Sequence, residues 1–132
     1  MIWEVVKIDQ TSGKTVPFVS IGRGMLDFNA VACELVNDNG SYKFAQLFTG
    51  KEKGKPVVAV KFLEEYIENS IPIKRKTTKE GKIIKGMTIA NKGVVEELFG
   101  KEGKNNGMLR HKVELVKDEE NMLRILDAWF DY

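Results

Sequence analysis

The sequence predicts an α+β protein built on a curved or barrel-like antiparallel sheet, with two short helices and a C-terminal helix. Short β-branched segments recur between turns rich in Gly, Asn and Lys, which is the pattern of a hairpin-built sheet. Asn29 and Asn91 each stand directly before a short run with helical character, where an asparagine side chain can cap the first free amides. The 132 residues are 42% hydrophobic and 30% charged, which suits one domain, spanning 1–132, with an ordinary apolar core.

Residues 3–9 (Trp-Glu-Val-Val-Lys-Ile-Asp) are β-branched and end at Gln10-Thr11-Ser12-Gly13, so they read as a first strand followed by a turn. Residues 15–21 read as a second strand, interrupted by Gly22-Arg23-Gly24. Met25-Leu26-Asp27-Phe28 leads to the Asn29 cap and a helix over 30–36, closed by Asn37-Asp38-Asn39-Gly40. Strands over 42–48 and 56–63, joined by a Gly- and Lys-rich turn over 49–55, form a hairpin. After the acidic link 64–70 comes an extended stretch over 71–76, a turn over 77–81, and a strand beginning at 82–85. Asn91 then caps a helix over 92–99 that stops at Gly100, a residue suited to a left-handed helix end. Residues 101–107 read as a loop and 108–116 as a strand. The segment 118–131 reads as a helix, because Asp118, Glu119 and Glu120 suit a helix N-terminus and Met122, Ile125, Leu126 and Trp129 fall at helical spacing. Its rival is a returning strand after a turn over 117–121.

Composition narrows the chemistry. One cysteine, Cys33, cannot form an internal disulfide, and with one histidine, His111, it cannot build a zinc site. Cys33 reads as a small buried side chain and His111 as a surface strand residue. No nucleophile stands beside a base, and Glu64, Glu65 and Glu68 lack the companions of a calcium loop, so the expectation is a non-enzyme without metal or cofactor. No run approaches the roughly 18 apolar residues of a membrane span, and the N-terminus lacks the marks of a signal peptide. A cytoplasmic protein with no membrane partner is expected.

Charge distribution says more than the net charge of +2. From 74 to 92 lie Lys74, Arg75, Lys76, Lys79, Lys82, Lys85 and Lys92 against the single acid Glu80. Two smaller basic clusters occupy 51–61 and 101–112, while acids gather at 64–68 and 114–131. Basic loops set apart from the acids present a polyanion-binding face. The candidate phosphate contacts are Arg23, Lys74, Arg75, Lys76, Lys79, Lys82, Lys85 and Arg110. Tyr42, Phe44 and Phe48 interleave with Lys43 on one strand, a pattern used to hold single-stranded nucleic acid.

Aligned without gaps, 24–34 and 86–96 share Gly, Met, Asn and Glu, and both halves run extended segment, Gly-Met, Asn cap, short helix, loop, strand. Two pseudo-repeats, 14–67 and 71–132, follow from that order. Over roughly 80–116 the chain also resembles the AbrB-like, or swapped-hairpin, transcription factors. Glu80-Gly81-Lys82-Ile83 is similar to their acidic-x-Gly-basic turn, and Val94-Val95-Glu96-Glu97-Leu98-Phe99-Gly100 to their helix end. Asn91 stands where the family has proline, and Met87 where it has arginine. The resemblance implies that one chain builds a barrel such proteins assemble from two, with Arg75, Lys79, Lys82 and Lys85 near its DNA-facing strands.

The expected function is therefore a small nucleic-acid-binding protein, with DNA favoured over RNA, acting as a regulator of transcription through Lys/Arg-rich loops. The alternative is an interaction or assembly module, in which the acidic link and the aromatic C-terminus engage a partner or a second copy in a homodimer.

Overall fold

The described residues of the structure, a computed structural model, are 2–5, 16–104 and 107–126. In chain order the elements are β1 (Phe18–Gly22), β2 (Met25–Phe28), α1 (Ala30–Leu35), β3 (Phe44–Glu52), β4 (Lys55–Leu63), β5 (Ser70–Thr77), β6 (Ile83–Ala90), α2 (Lys92–Phe99), α3 (Lys101–Lys104), β7 (Leu109–Leu115) and β8 (Met122–Ile125). The strands close an antiparallel barrel in the order β1-β2-β6-β5-β3-β4-β8-β7, and β7 returns to β1 where Val19 lies opposite His111. Consecutive strands form four hairpins. Each is tied into the ring by strands from the other half of the chain: β2 to β6, β1 to β7, β3 to β5 and β4 to β8.

Strand alternation fills the interior. Val19 and Ile21, Leu26 and Phe28, Val58, Val60 and Phe62, Met87 and Ile89, and Leu123 and Ile125 are all buried, and these aliphatic and aromatic side chains pack the barrel as a solid core. α1 follows the C-terminal end of β2 and α2 the C-terminal end of β6. Since β2 and β6 are antiparallel neighbours, with Met25 opposite Ala90 and Phe28 opposite Met87, the two helices cap opposite ends of the barrel. Ala32, Cys33 and Val36 are buried at one end, Val95 and Phe99 at the other.

Both asparagines cap helices as expected, but they differ in reach. Asn91 accepts from the Val94 amide at 3.1 Å. Asn29 accepts from the amides of Ala32 (2.9 Å) and Phe18 (3.0 Å) and donates to the Val16 carbonyl at 2.8 Å, so it fastens α1 to the entry of β1. Asn91→Ala should remove a helix cap worth about 1 kcal/mol. Asn29→Ala should cost about 2–3 kcal/mol because it also strands strand-end groups. Urea unfolding of both variants checks this; equal losses would confine Asn29 to its helix.

Gly24 permits the β1–β2 turn to seat against the α2 end. Its φ is +70°, and a Cβ there would lie 2.8 Å from the Lys92 Cα. The Gly24 amide donates to the Gly103 carbonyl at 2.8 Å, and its own carbonyl accepts from the Asn91 amide at 3.2 Å.

Several expectations need correction. Residues 122–125 of the C-terminal segment form β8, opposite 58–61 on β4 and with 123–125 opposite 113–115 on β7. Leu123 and Ile125 face the core at period 2, and the hydrogen-bonding edges of β4 and β7 decide between the two periods. Residues 118–121 are the turn and bend that lead into β8, not a helix start, and 127–131, including Trp129, lie outside the described residues. Of the strand expected over 3–9, residues 3–5 are irregular and the rest fall outside the described residues. The loop expected over 101–107 begins with the short α3. His111 is 8% exposed, because it shares the inward face of β7 with Val113 while Arg110 and Lys112 point outward. The β3–β4 turn contains only Lys53 and Gly54, with φ of 51° and 78°. These two left-handed residues make the turn whose twist matches its strands, so pairing runs through the lysines read as loop. Among the described residues no helix is long and apolar enough to cross a membrane.

Candidate nucleic-acid interface

The β5–β6 hairpin carries six of the expected contacts, of which Lys74, Lys76, Lys79, Lys82 and Lys85 are exposed and Arg75 is not. Its turn is closed by the Thr78 amide donating to the Lys82 carbonyl (2.7 Å) and the Gly81 amide to the Thr78 carbonyl (3.0 Å). The Lys82 amide also donates to Thr78 Oγ1 at 3.1 Å. Lys79 and Lys82 are exposed at this turn, and Lys74 and Lys76 on β5.

Lys74 and Lys76 point outward because Ile71 and Ile73 point inward, and the same alternation carries Arg75 inside. Arg75 Nη1 donates to Asp38 Oδ2 at 2.6 Å, and Nη2 to Asp38 Oδ1 at 2.9 Å and to the Tyr42 carbonyl at 3.0 Å. The two side chains are only 16% and 6% exposed. Burial opposes the charge on Asp38, but the Arg75 hydrogen bonds, the Gly40 amide and the nearby positive charge outweigh it and hold the carboxyl below its usual range. Arg75 is thus spent on a bidentate pair at the α1 end of the barrel. Opposite it, β6 carries three residues, 85 to 87, against one on β5, a bulge that lets the hairpin turn outward past this pair.

Arg23 and Arg110 lie away from this hairpin. One row across the outer wall reads Lys74, Thr88, Asp27, Ser20, Arg110 over five strands. Asp27 interrupts it: its carboxylate accepts from Thr88 Oγ1 and Lys76 Nζ, both at 3.0 Å. Arg110 lies over the Phe18 ring, 4.6 Å from its centroid. Lys85 approaches Glu34 at 3.8 Å with both side chains well exposed, a pair that contributes little. Arg23 occupies the exposed β1–β2 turn, at the opposite end of the barrel from Lys79 and Lys82.

The aromatic strand does not assemble as a stacking platform. Tyr42 turns toward the core and donates to the Val36 carbonyl at 3.0 Å. Phe44 points outward, but the link 64–69 must step across β3 to join β4 to β5, and Tyr66 lands edge-on against Phe44 with centroids 5.7 Å apart. Glu64, Glu65 and Glu68 ride on that link.

Cys33 is buried, and its thiol is pushed up to about 12, first by burial and then by the Asp38 charge, so it stays protonated. Among the described residues no three metal-ligand side chains converge. Two features escaped the sequence reading. Asp38 could not be identified as the Arg75 partner, although the Ile71, Ile73, Arg75 alternation marks Arg75 as inward. The basic cluster over 51–61 is evident in the sequence, but its place at a ribbon tip depends on Lys53 and Gly54 both adopting left-handed backbone. No protein-family model, curated protein or solved structure matches the chain.

Proposed function

We propose that the protein binds nucleic acid without catalysing a reaction, and that phosphates are met by the β5–β6 hairpin. One observation carries this reading: Lys74, Lys76, Lys79 and Lys82 stand exposed on a single hairpin whose only acid is Glu80. A filled barrel interior also leaves the outer surface as the working part of the molecule. Lys85 stands on the same hairpin and faces Glu34 across an exposed pair, whereas Arg110 and Arg23, on other hairpins, are auxiliary contacts at most.

A DNA-binding regulator of the AbrB-like type is the specific form of this proposal. Its support beyond the resemblance over 80–116 is the strand ring, which is unchanged when β1–β4 are exchanged for β5–β8. That order suits two copies of one unit fused in a chain. The gapless alignment of the two halves is off by one in the strands, since it sets inward Leu26 on outward Thr88 and half-exposed Met25 on buried Met87. The caps Asn29 and Asn91 remain equivalent.

The test is fluorescence anisotropy on a mixed-sequence oligonucleotide across a salt series, with a Lys74/Lys79/Lys82→Ala variant beside the wild type. Arg75 is left intact because its loss would unfold the barrel end. Wild-type affinity should fall steeply with salt, and three lost phosphate contacts should reduce the log-log slope by about 2–3. Binding that ignores salt, or none at either extreme, would refute the proposal and direct attention to protein partners.

A further inference from the structure

We infer that the β3–β4 ribbon is a second, separate contact for nucleic acid, and that its shape fits the major groove of duplex DNA. This rests on the nucleic-acid reading above and adds to it a surface and a preferred form of ligand.

The ribbon outruns the barrel. Among the described residues, β3 pairs with β5 only at Phe44, Ala45 and Gln46, and β4 pairs with β8 only from Val58 to Lys61. Among the described residues, 50–57 therefore pair with one another alone. Three residues in each strand, 50–52 and 55–57, extend about 10 Å beyond the wall, and the Lys53-Gly54 turn closes the tip. None of them is buried, and Val58 is the first core residue of β4. Closure of the ring does not require this extension.

Its charge is one-sided. Lys51, Lys53 and Lys55 are exposed, and none forms an ion pair with a described acid. The ribbon's one acid, Glu52, is held by Arg124 of β8, which also approaches Glu114 at 3.9 Å. The carboxylate is neutralised from the barrel wall, leaving three ammonium groups at the tip. The topologically corresponding β7–β8 hairpin ends instead in Asp118, Glu119 and Glu120, so of these two equivalent hairpins this one alone has a basic tip.

A two-stranded ribbon enters the B-DNA major groove, about 12 Å wide. The deep, narrow groove of A-form RNA refuses it. Lysines at the tip act as mobile point charges toward phosphates, and residues 50–57 contain no Arg, Asn or Gln for bidentate base reading. Sequence-tolerant binding follows.

The lysines and Pro56 would also serve simply to blunt an open strand edge, and the experiment separates the two roles. Anisotropy is measured with a mixed-sequence DNA duplex and the RNA duplex of the same sequence, across salt. The proteins are the wild type, Lys51/Lys53/Lys55→Ala, the single reversal Lys53→Glu, and the β5–β6 variant described above. The ribbon variants should keep the wild-type circular dichroism spectrum. The triple variant should lose about tenfold or more in DNA affinity with a slope lower by about 2–3, Lys53→Glu should weaken binding in the same direction, and the wild-type preference for DNA over RNA duplex should shrink. If the wild type binds and the β5–β6 variant is weakened while both ribbon variants match the wild type, the ribbon is an edge guard and only this inference falls. Equal wild-type binding of the two duplexes would overturn the groove assignment. A wild type that binds neither duplex removes both proposals.

Discussion

Arg75→Ala should be the most disruptive change to a charged residue, lowering stability by about 3–5 kcal/mol, because it abandons the Asp38 carboxylate in a site where water hardly reaches. Asp38→Ala should cost a similar amount by stranding the guanidinium. The double change Arg75→Met with Asp38→Leu should be milder than either single one, since the desolvation of both charges disappears with the charges themselves. The pH dependence has a definite sign. The Asp38 carboxyl titrates below its ordinary value in the folded protein, so its contribution is complete above the ordinary carboxylate pKa of about 3.9 and is lost as pH falls through the lower folded-state value. Urea unfolding at neutral pH and through the acid range measures both effects. A single-variant loss under about 1 kcal/mol would mean that the pair is solvated and energetically idle, and an acid transition unchanged in Asp38→Asn would detach acid stability from this carboxylate.

Phe62→Ala should cost about 3–5 kcal/mol through lost burial and the cavity it leaves. Phe62 is fully buried, its ring meets Phe28 edge-on with centroids 5.2 Å apart, and the Tyr42 ring lies tilted against it at 5.9 Å. These rings come from β2, β4 and the link that precedes β3, near the α1 end, so little can collapse into the vacated space without moving a strand. Tyr66→Ala, which alters an aromatic 65% exposed, is the control and should change stability by less than about 1 kcal/mol. Denaturant midpoints compared at constant m-value decide the matter. Comparable losses at both positions would show that the Phe62 site relaxes around the cavity.

What the sequence displayed was local. α2 is legible because both of its ends are punctuated: Asn91 caps the start, and Gly100, with φ of 56°, donates its amide to the Glu96 carbonyl at the finish. The turn signals around Gly81 likewise place Lys74, Lys76, Lys79 and Lys82 on one hairpin. The C-terminal segment was misread because Met122, Ile125 and Leu126 satisfy a helical period over a run too short to distinguish it from the alternation of Leu123 and Ile125. Only the edges of β4 and β7, distant in the chain, settle which applies. Arg75 was misjudged for a related reason. In the run Lys74-Arg75-Lys76 three cations look alike, yet Arg75 faces inward, and its partner lies 37 residues away in a loop. The dispersal of Arg23 and Arg110 follows from ring order, a property that no single segment carries.

The weaving of hairpins also governs how this protein comes apart. Within the first half, β1–β2 and β3–β4 have no ladder to each other, and each is held between the two hairpins of the second half. Neither half is a foldable unit, so fragments cut at the 64–69 link would expose open edges on every hairpin and have nothing to close against except each other. Unfolding should therefore proceed as one cooperative event, without a stage in which half the barrel survives. The same ladders are formed whether the two halves belong to one molecule or to two, and only the reach of a six-residue link keeps them in one. That link is the element through which insertions or deletions would exchange halves between molecules.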